Sequence, residues 1–199
     1  MKVTVIRATE SPMHAISEEA GMCYGKTDYN PKRVERCLRN GHTSVAEHVS
    51  ATFRIEGISR SCLAQLTRHR MASFSVMSQR YCEIDGDDWY VIPPSVIEAG
   101  EEVGLTAEVE KAAKAYHRLL AKGVKKEDAR FLLPEATKTS LIMTINARSL
   151  MNFLSLRLDK SAQWEIRELA EKIEQALMEM GGEWSELMAL LREVRNAQR

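Results

Sequence analysis

Val3 and Val5 alternate with Lys2 and Thr4, and the β-branched run Lys2 to Ala8 predicts a strand. A second alternation follows from Val49 to Glu56. There Val49, Ala51, Phe53 and Ile55 stand against Ser50, Thr52, Arg54 and Glu56, which predicts a strand with one buried face, stopped at Gly57. Trp89 to Ile92 reads as a short strand halted by Pro93 and Pro94, and Thr139 to Ile145 as a further, apolar strand.

Between these runs the period lengthens. Ser17 to Cys23 is helical in composition, and Tyr24 to Asn30 is a turn-rich loop. Pro31 starts a helix that ends near Asn40 before Gly41. Ser59 to Thr67 reads as a helix with Cys62, Leu63 and Leu66 inward. Thr106 to Lys122 places Val109, Ala112, Ala113, Tyr116, Leu119 and Leu120 at three- and four-residue steps, and Gly123 ends it. Lys125 to Leu133 is a shorter helix closed by Pro134. Asn146 to Leu158 is apolar on nearly every side, which predicts a helix buried in the core or between subunits. Gln163 to Met180 and a last helix with Trp184, Leu187, Met188, Leu191 and Val194 complete the chain, with a basic end over 195–199. The expected fold is α+β: one domain over 1–199, with a small, mostly antiparallel sheet flanked by helices.

Charge narrows the function classes. The 28 basic and 28 acidic side chains cancel, which argues against a general nucleic-acid binder. Cys23, Cys37, Cys62 and Cys82 form no CxxC pair, so neither a disulfide framework nor a zinc ribbon is expected. No run has the length of a membrane span, and Met1 to Arg7 is too short and polar for a signal peptide. A cytoplasmic protein with reduced thiols and no membrane partner is the expectation.

Within this balance the arginines are unevenly placed. No lysine occurs between Lys32 and Lys111, a span that carries Arg33, Arg36, Arg39, Arg54, Arg60, Arg68, Arg70 and Arg80. Arginine is a planar fork suited to bidentate capture of phosphate or carboxylate; lysine is a hydrated point charge. Arg33, Arg36 and Arg39 share a helix face and could equally be paired with acids. Arg68, Arg70 and Arg80 stand in a stretch, Arg54 to Arg80, whose only acid is Glu56, and they point to an anion site. Further along, Arg148 and Asn152 share a helix face at i, i+4. Arg157 is about half a turn out of phase with Arg148, so the two should serve different partners. In the segment His42 to His48, Ser44 and Glu47 have capping-box spacing. His42 and His48 are six apart, which is not a metal-binding helical pair, and no metal is expected.

Three blocks carry a resemblance. Arg68-His69-Arg70, seven residues, then Ser78-Gln79-Arg80-Tyr81 resembles the defining motif of the flavin-dependent thymidylate synthases. The segment His42-Thr43-Ser44-Val45-Ala46-Glu47-His48 is similar to a second element of that family. The third block is Asn146 to Phe153, with Arg157 and then Ala162-Gln163-Trp164-Glu165. The resemblance implies that family's fold, and reductive methylation of dUMP to dTMP. The carbon comes from 5,10-methylenetetrahydrofolate and the reducing power from NADPH, through FAD. It implies a homotetramer with active sites between subunits.

Residue roles follow from the resemblance. FAD contacts fall on Ser44, Glu47, Arg68, His69, Arg70 and Val76, and on Asn146, Ala147, Arg148 and Asn152. The dUMP contacts fall on Gln65, Leu66, Thr67 and Arg68, then Val76, Met77, Ser78, Gln79 and Arg80, with Arg130 and Arg157. His42 lies on the folate or nicotinamide side. Arg157 is the catalytic group, favouring loss of the uracil N3 proton; desolvated on an apolar helix, its charge would act strongly on a developing uracil anion. Two positions depart from the family pattern: Val76 replaces a polar residue, often Glu, and Ser161 replaces a histidine near the flavin. These departures leave room for a paralogue acting on another uridine nucleotide. A non-catalytic nucleotide- or RNA-binding protein is the remaining alternative.

Overall fold

The computed structural model describes residues 1–197; Gln198 and Arg199, part of the basic end, lie outside them. The elements run β1 (Lys2–Ala8), α1 (Pro12–Met22), α2 (Pro31–Arg39), a 3-10 turn (Thr43–His48), β2 (Ser50–Ser59) and α3 (Arg60–Leu66). They continue with β3 (Ala72–Val76), α4 (Pro94–Glu98), α5 (Glu102–Ala121), α6 (Lys126–Ala129) and a second 3-10 turn (Arg130–Leu132). Last come β4 (Lys138–Asn146), α7 (Ala147–Arg157), α8 (Trp164–Glu179) and α9 (Gly182–Ala197).

The strands form one antiparallel sheet in the order β1-β2-β4-β3. Register explains which side is buried. Phe53 lies opposite Met143, Ile55 opposite Leu141 and Ala51 opposite Ile145, so one face is a continuous apolar layer. On β3, Ala72, Phe74 and Val76 pair with Ile145, Met143 and Leu141, and so share that face. Helices α3, α7, α8 and α9 cover it through Leu66, Phe153, Leu169 and Leu187, all at 0 % exposure. Burial of each such side chain contributes about 1.5–3 kcal/mol.

The α+β class and the small antiparallel sheet flanked by helices hold. Several local expectations do not. The second strand does not stop at Gly57. It runs on to Ser59 through a bulge, with a register shift between Glu56 and Ile58, and Gly57 adopts φ 77° there. Within the Arg68–Tyr81 stretch, for which no strand is predicted, Ala72–Val76 adds an edge strand, its apolar–polar alternation satisfied by pairing with β4. Trp89 to Ile92 is no strand but a single bridge, Tyr90 to Thr137. Helix α1 begins at Pro12 rather than Ser17, and α5 begins at Glu102 rather than Thr106. The helix expected in the core or between subunits packs one face on the core of this chain and turns the other outward. In α7, Ala147, Leu150, Phe153 and Leu154 face the core, while Arg148, Asn152, Ser155 and Leu156 face outward.

Two polar anchors set the site. Asn146 caps α7 by accepting the Ser149 amide at 2.8 Å. Glu165, 2 % exposed, accepts the Ser59 amide at 2.7 Å and its hydroxyl at 2.5 Å, tying the start of α8 to the start of α3. The turn that α3 feeds and the helix that faces it are thereby held in one frame.

Candidate active site

Where α3 ends, Arg68, His69 and Arg70 turn away from the core. Across from them runs the outward face of α7. Between the two lies a cavity of about 810 Å³, lined by Arg68, His69 and Arg70 on one side and by Arg148, Asn152 and Arg157 on the other. Residues from two of the three sequence blocks, about eighty positions apart, thus meet around one space. Four guanidiniums border it. Neither Arg68 nor Arg70 forms an ion pair among the described residues, whereas Arg148 pairs with Glu47. A polyanion such as a diphosphate satisfies such a donor set with charge-assisted bonds.

Arg148 and Arg157 do serve different partners. Arg148 Nη1 donates to Glu47 Oε1 at 2.6 Å. The capping box expected of Ser44 and Glu47 is therefore absent: the first 3-10 turn has no side-chain cap, because Glu47 is drawn to a full positive charge instead of a backbone amide. This bridge brings Glu47, and with it the His42–His48 block, against the cavity-lining Arg148. Arg157 Nε donates to His69 Nε2 at 2.9 Å, and its Nη2 reaches the Gln65 carbonyl at 3.4 Å. Burial, then the charges of Arg157 and Arg68, hold the His69 imidazole below its ordinary pKa. Ser161 also lines the cavity, its hydroxyl donating to Asp159 Oδ1 at 2.7 Å.

The remaining predicted residues sit around this centre. Leu66 is in the core, and Thr67 Oγ1 donates to the Leu63 carbonyl, so neither side chain points into the cavity. Ala147 is 1 % exposed. Val76 packs partly buried against the core at the end of β3. Just after it, Ser78 shapes a turn: its Oγ accepts the Arg80 amide at 3.2 Å, and its carbonyl accepts the Tyr81 and Cys82 amides. Met77 and Gln79 line a separate cavity of about 520 Å³. Arg80 Nε donates to Glu127 Oε2 at 2.8 Å, and Arg130 Nε to the Glu127 carbonyl at 3.0 Å, so one residue of α6 gathers both arginines. His42 and Ser44 line a third cavity, of about 340 Å³, with Arg33, Arg36 and Cys37.

Residues 4–180 match a family model described as thymidylate synthase complementing protein. The chain belongs to this family. A flavin-dependent thymidylate synthase of Geobacter sulfurreducens is 40% identical over 183 residues, 85% of this chain and 79% of the relative. The flavin-dependent thymidylate synthase of Pyrococcus furiosus is 39% identical over 189 residues, 87% of this chain and 77% of the relative. Among solved structures, thymidylate synthase X of Helicobacter pylori, with FAD and dUMP, superposes with a TM-score of 0.78 at 28% identity. That match covers 96% of this chain and 99% of the other. The UMP/dUMP methylase PolB of Streptomyces cacaoi, bound with 5-Br dUMP, superposes with a TM-score of 0.81 at 27% identity, covering 98% and 94%.

For a member of this family, three residues were not legible as site residues in the sequence. Arg60 Nη2 donates to the Met77 carbonyl at 3.0 Å, directly before Ser78, while its Nε is buried without a partner. Burial, then the charge of Arg130, pushes its pKa down. It belongs to the lysine-free set, but nothing in its spacing tied it to the motif. Met71 and Leu156, 72% and 54% exposed, give the arginine cavity its apolar walls. Their solvent-facing placement next to the charged residues was the available signal.

Proposed function

We propose that the chain is a flavin-dependent thymidylate synthase. It converts dUMP to dTMP with 5,10-methylenetetrahydrofolate as carbon donor, NADPH as reductant and FAD as the tightly held cofactor. The observation that carries this reading is the convergence of Arg68, His69, Arg70, Arg148, Asn152 and Arg157 on one cavity. Four guanidiniums and an amide beside the apolar surfaces of Met71 and Leu156 suit a ligand that is part diphosphate and part flat ring.

FAD, when bound, supplies the hydride chemistry. The protein's own residues bind and orient. Arg68, Arg70, Arg148 and Asn152 hold the cofactor, joined by Ser44, Glu47, His69, Val76, Asn146 and Ala147. Ser78, Gln79, Arg80 and Arg130 take the nucleotide with Gln65, Leu66, Thr67, Met77 and Arg68, and Arg80 and Arg130 supply phosphate donors from opposite sides of Glu127. Arg157 faces the uracil, where a desolvated guanidinium stabilises negative charge developing as the N3 proton leaves. His42 stands where folate or nicotinamide approaches. The outward Met71, Leu156 and Phe131 support assembly into a homotetramer whose sites lie between subunits. A cytoplasmic setting is part of this proposal; separately, no helix of the described residues is long and apolar enough to cross a membrane.

The test is flavin retention followed by product analysis. The protein is mixed with FAD, desalted and scanned for flavin absorption. It is then supplied with dUMP, the folate and NADPH, and the nucleotides are separated. Retained flavin and dTMP are expected. A colourless protein, or retained flavin with no dTMP, contradicts the reading.

A further inference from the structure

We propose that His69 is a positioning residue whose imidazole ring aims the Arg157 guanidinium at the substrate. The proposal rests on the reading of Arg157 as the group that faces the uracil. Arg157 Nε can only donate, and it lies 2.9 Å from His69 Nε2. The ring nitrogen must therefore present its lone pair, which places the imidazole proton on Nδ1.

The ring is itself fixed. The fully buried Phe153 meets it edge-on, with centroids 4.9 Å apart at 76°, and the His69 amide donates to the Leu66 carbonyl at 3.1 Å. An arginine on a flexible stem is thus held at Nε by a ring that cannot turn.

The charged surroundings favour the neutral ring. Arg157 comes from α7, Arg68 from the same turn, and Arg148 and Arg70 border the same cavity. From α3 comes Cys62, whose thiol is pushed up by burial, then by Glu165. On α8, Glu165 is bound to Ser59, and after α7 Asp159 accepts from Ser161. A carboxylate at the position of His69 would also hold Arg157, but it would cancel the charge that the uracil needs. A neutral imidazole orients the guanidinium and leaves that charge intact.

The decisive experiment is nitrogen-15 NMR of the imidazoles in the flavin-loaded protein. The His69 signals are identified by their loss in His69→Gln. The expected result is the Nδ1–H tautomer with a pKa below the ordinary 6.5, rising in Arg157→Gln as the neighbouring cation leaves. An Nε2–H tautomer, or a pKa unmoved by Arg157→Gln, overturns the proposal, and neither readout depends on turnover.

Turnover adds a second check. The kcat/KM of the wild type should fall as pH drops through the His69 pKa, because the imidazolium cannot accept from Arg157. In His69→Gln an acceptor remains but does not titrate, so that acid-side fall should vanish, with kcat within about tenfold of wild type. In His69→Leu kcat, measured per bound flavin, should fall about a hundredfold. Equal behaviour of the two variants, with the acid-side fall intact, also overturns the proposal. If the wild type makes no dTMP, the methylation reading fails, and the NMR still decides the His69–Arg157 pair.

Discussion

At the hairpin of α1 and α2, Arg33 is 8% exposed and fully used. Its Nη1 donates to the Ser17 and Asp28 carbonyls, and its Nη2 pairs with Asp28 Oδ1 at 3.1 Å. On the same helix Arg39 bridges Glu35 and Glu193. Between α8 and α9, Arg192 and Arg195 share the carboxylate of Glu174. Around the α3–α7 cavity the same residue type is treated differently, apart from Arg148 with its bridge to Glu47 at the rim. Arg68 and Arg70 have no carboxylate partner among the described residues, and Arg157 is held by a neutral ring. Arginines whose donors are spent inside the fold act as fasteners. Arginines aimed at an open cavity without acids keep their charge for a ligand. Arg80 stands between the two, since its exposed bridge to Glu127 is one that a phosphate can displace.

Variants that treat the two classes alike would break this comparison. The largest effect is expected at Arg157→Ala: turnover should fall by two to three orders of magnitude while flavin stays bound, checked by kcat and flavin absorption. Loss of flavin with turnover preserved would reverse its role. Arg33→Ala should do the opposite, lowering stability by about 2 kcal/mol in urea unfolding, because carbonyls of the hairpin lose buried donors, with flavin retention unchanged. Gly21→Ala tests the same hairpin sterically. A Cβ there would collide with the Lys26 carbonyl oxygen, and a loss of about 1–3 kcal/mol is expected.

Smaller effects sharpen the distinction. Arg33, through its hydrogen bond first, holds the Asp28 carboxyl below its ordinary pKa of 3.8. A depressed folded-state pKa stabilises the fold above 3.8 and loses that contribution as pH falls through the lower folded value. The Tm gap between wild type and Asp28→Asn should therefore be constant above about pH 5 and close in stronger acid. Arg39→Ala, exposed at the surface, should leave the urea midpoint close to that of wild type.

Much of the fold was written in periodicity. The strand Lys2–Ala8, the helix from Pro31 and the long apolar steps of α5 and α8 are decided by local patterning, and they appear with small shifts at their ends. What local pattern could not give was competition over distance. Glu47 has the spacing of a cap, but the charge of Arg148 arrives from a hundred residues away and takes it. Gly57 has the look of a stop, but β4 offers enough pairing on both sides to carry the strand through a bulge. Helix α7 looked wholly buried because its outward face mixes Leu156 with Arg148 and Asn152, a mixture that suits a cavity wall. The motif blocks announced which residues belong to the site. That His69 and Arg157 bind each other, and that Arg60 props the turn before Ser78, needed the chain folded.

The most direct test of the whole account is release of tritium from dUMP labelled at C5, with methylenetetrahydrofolate and NADPH present, measured with and without FAD. Methylation replaces the C5 hydrogen, so label should appear in water in step with dTMP, only when FAD is present, and fall at least a hundredfold in Arg157→Ala. A protein that retains flavin yet releases no tritium from dUMP would contradict the account.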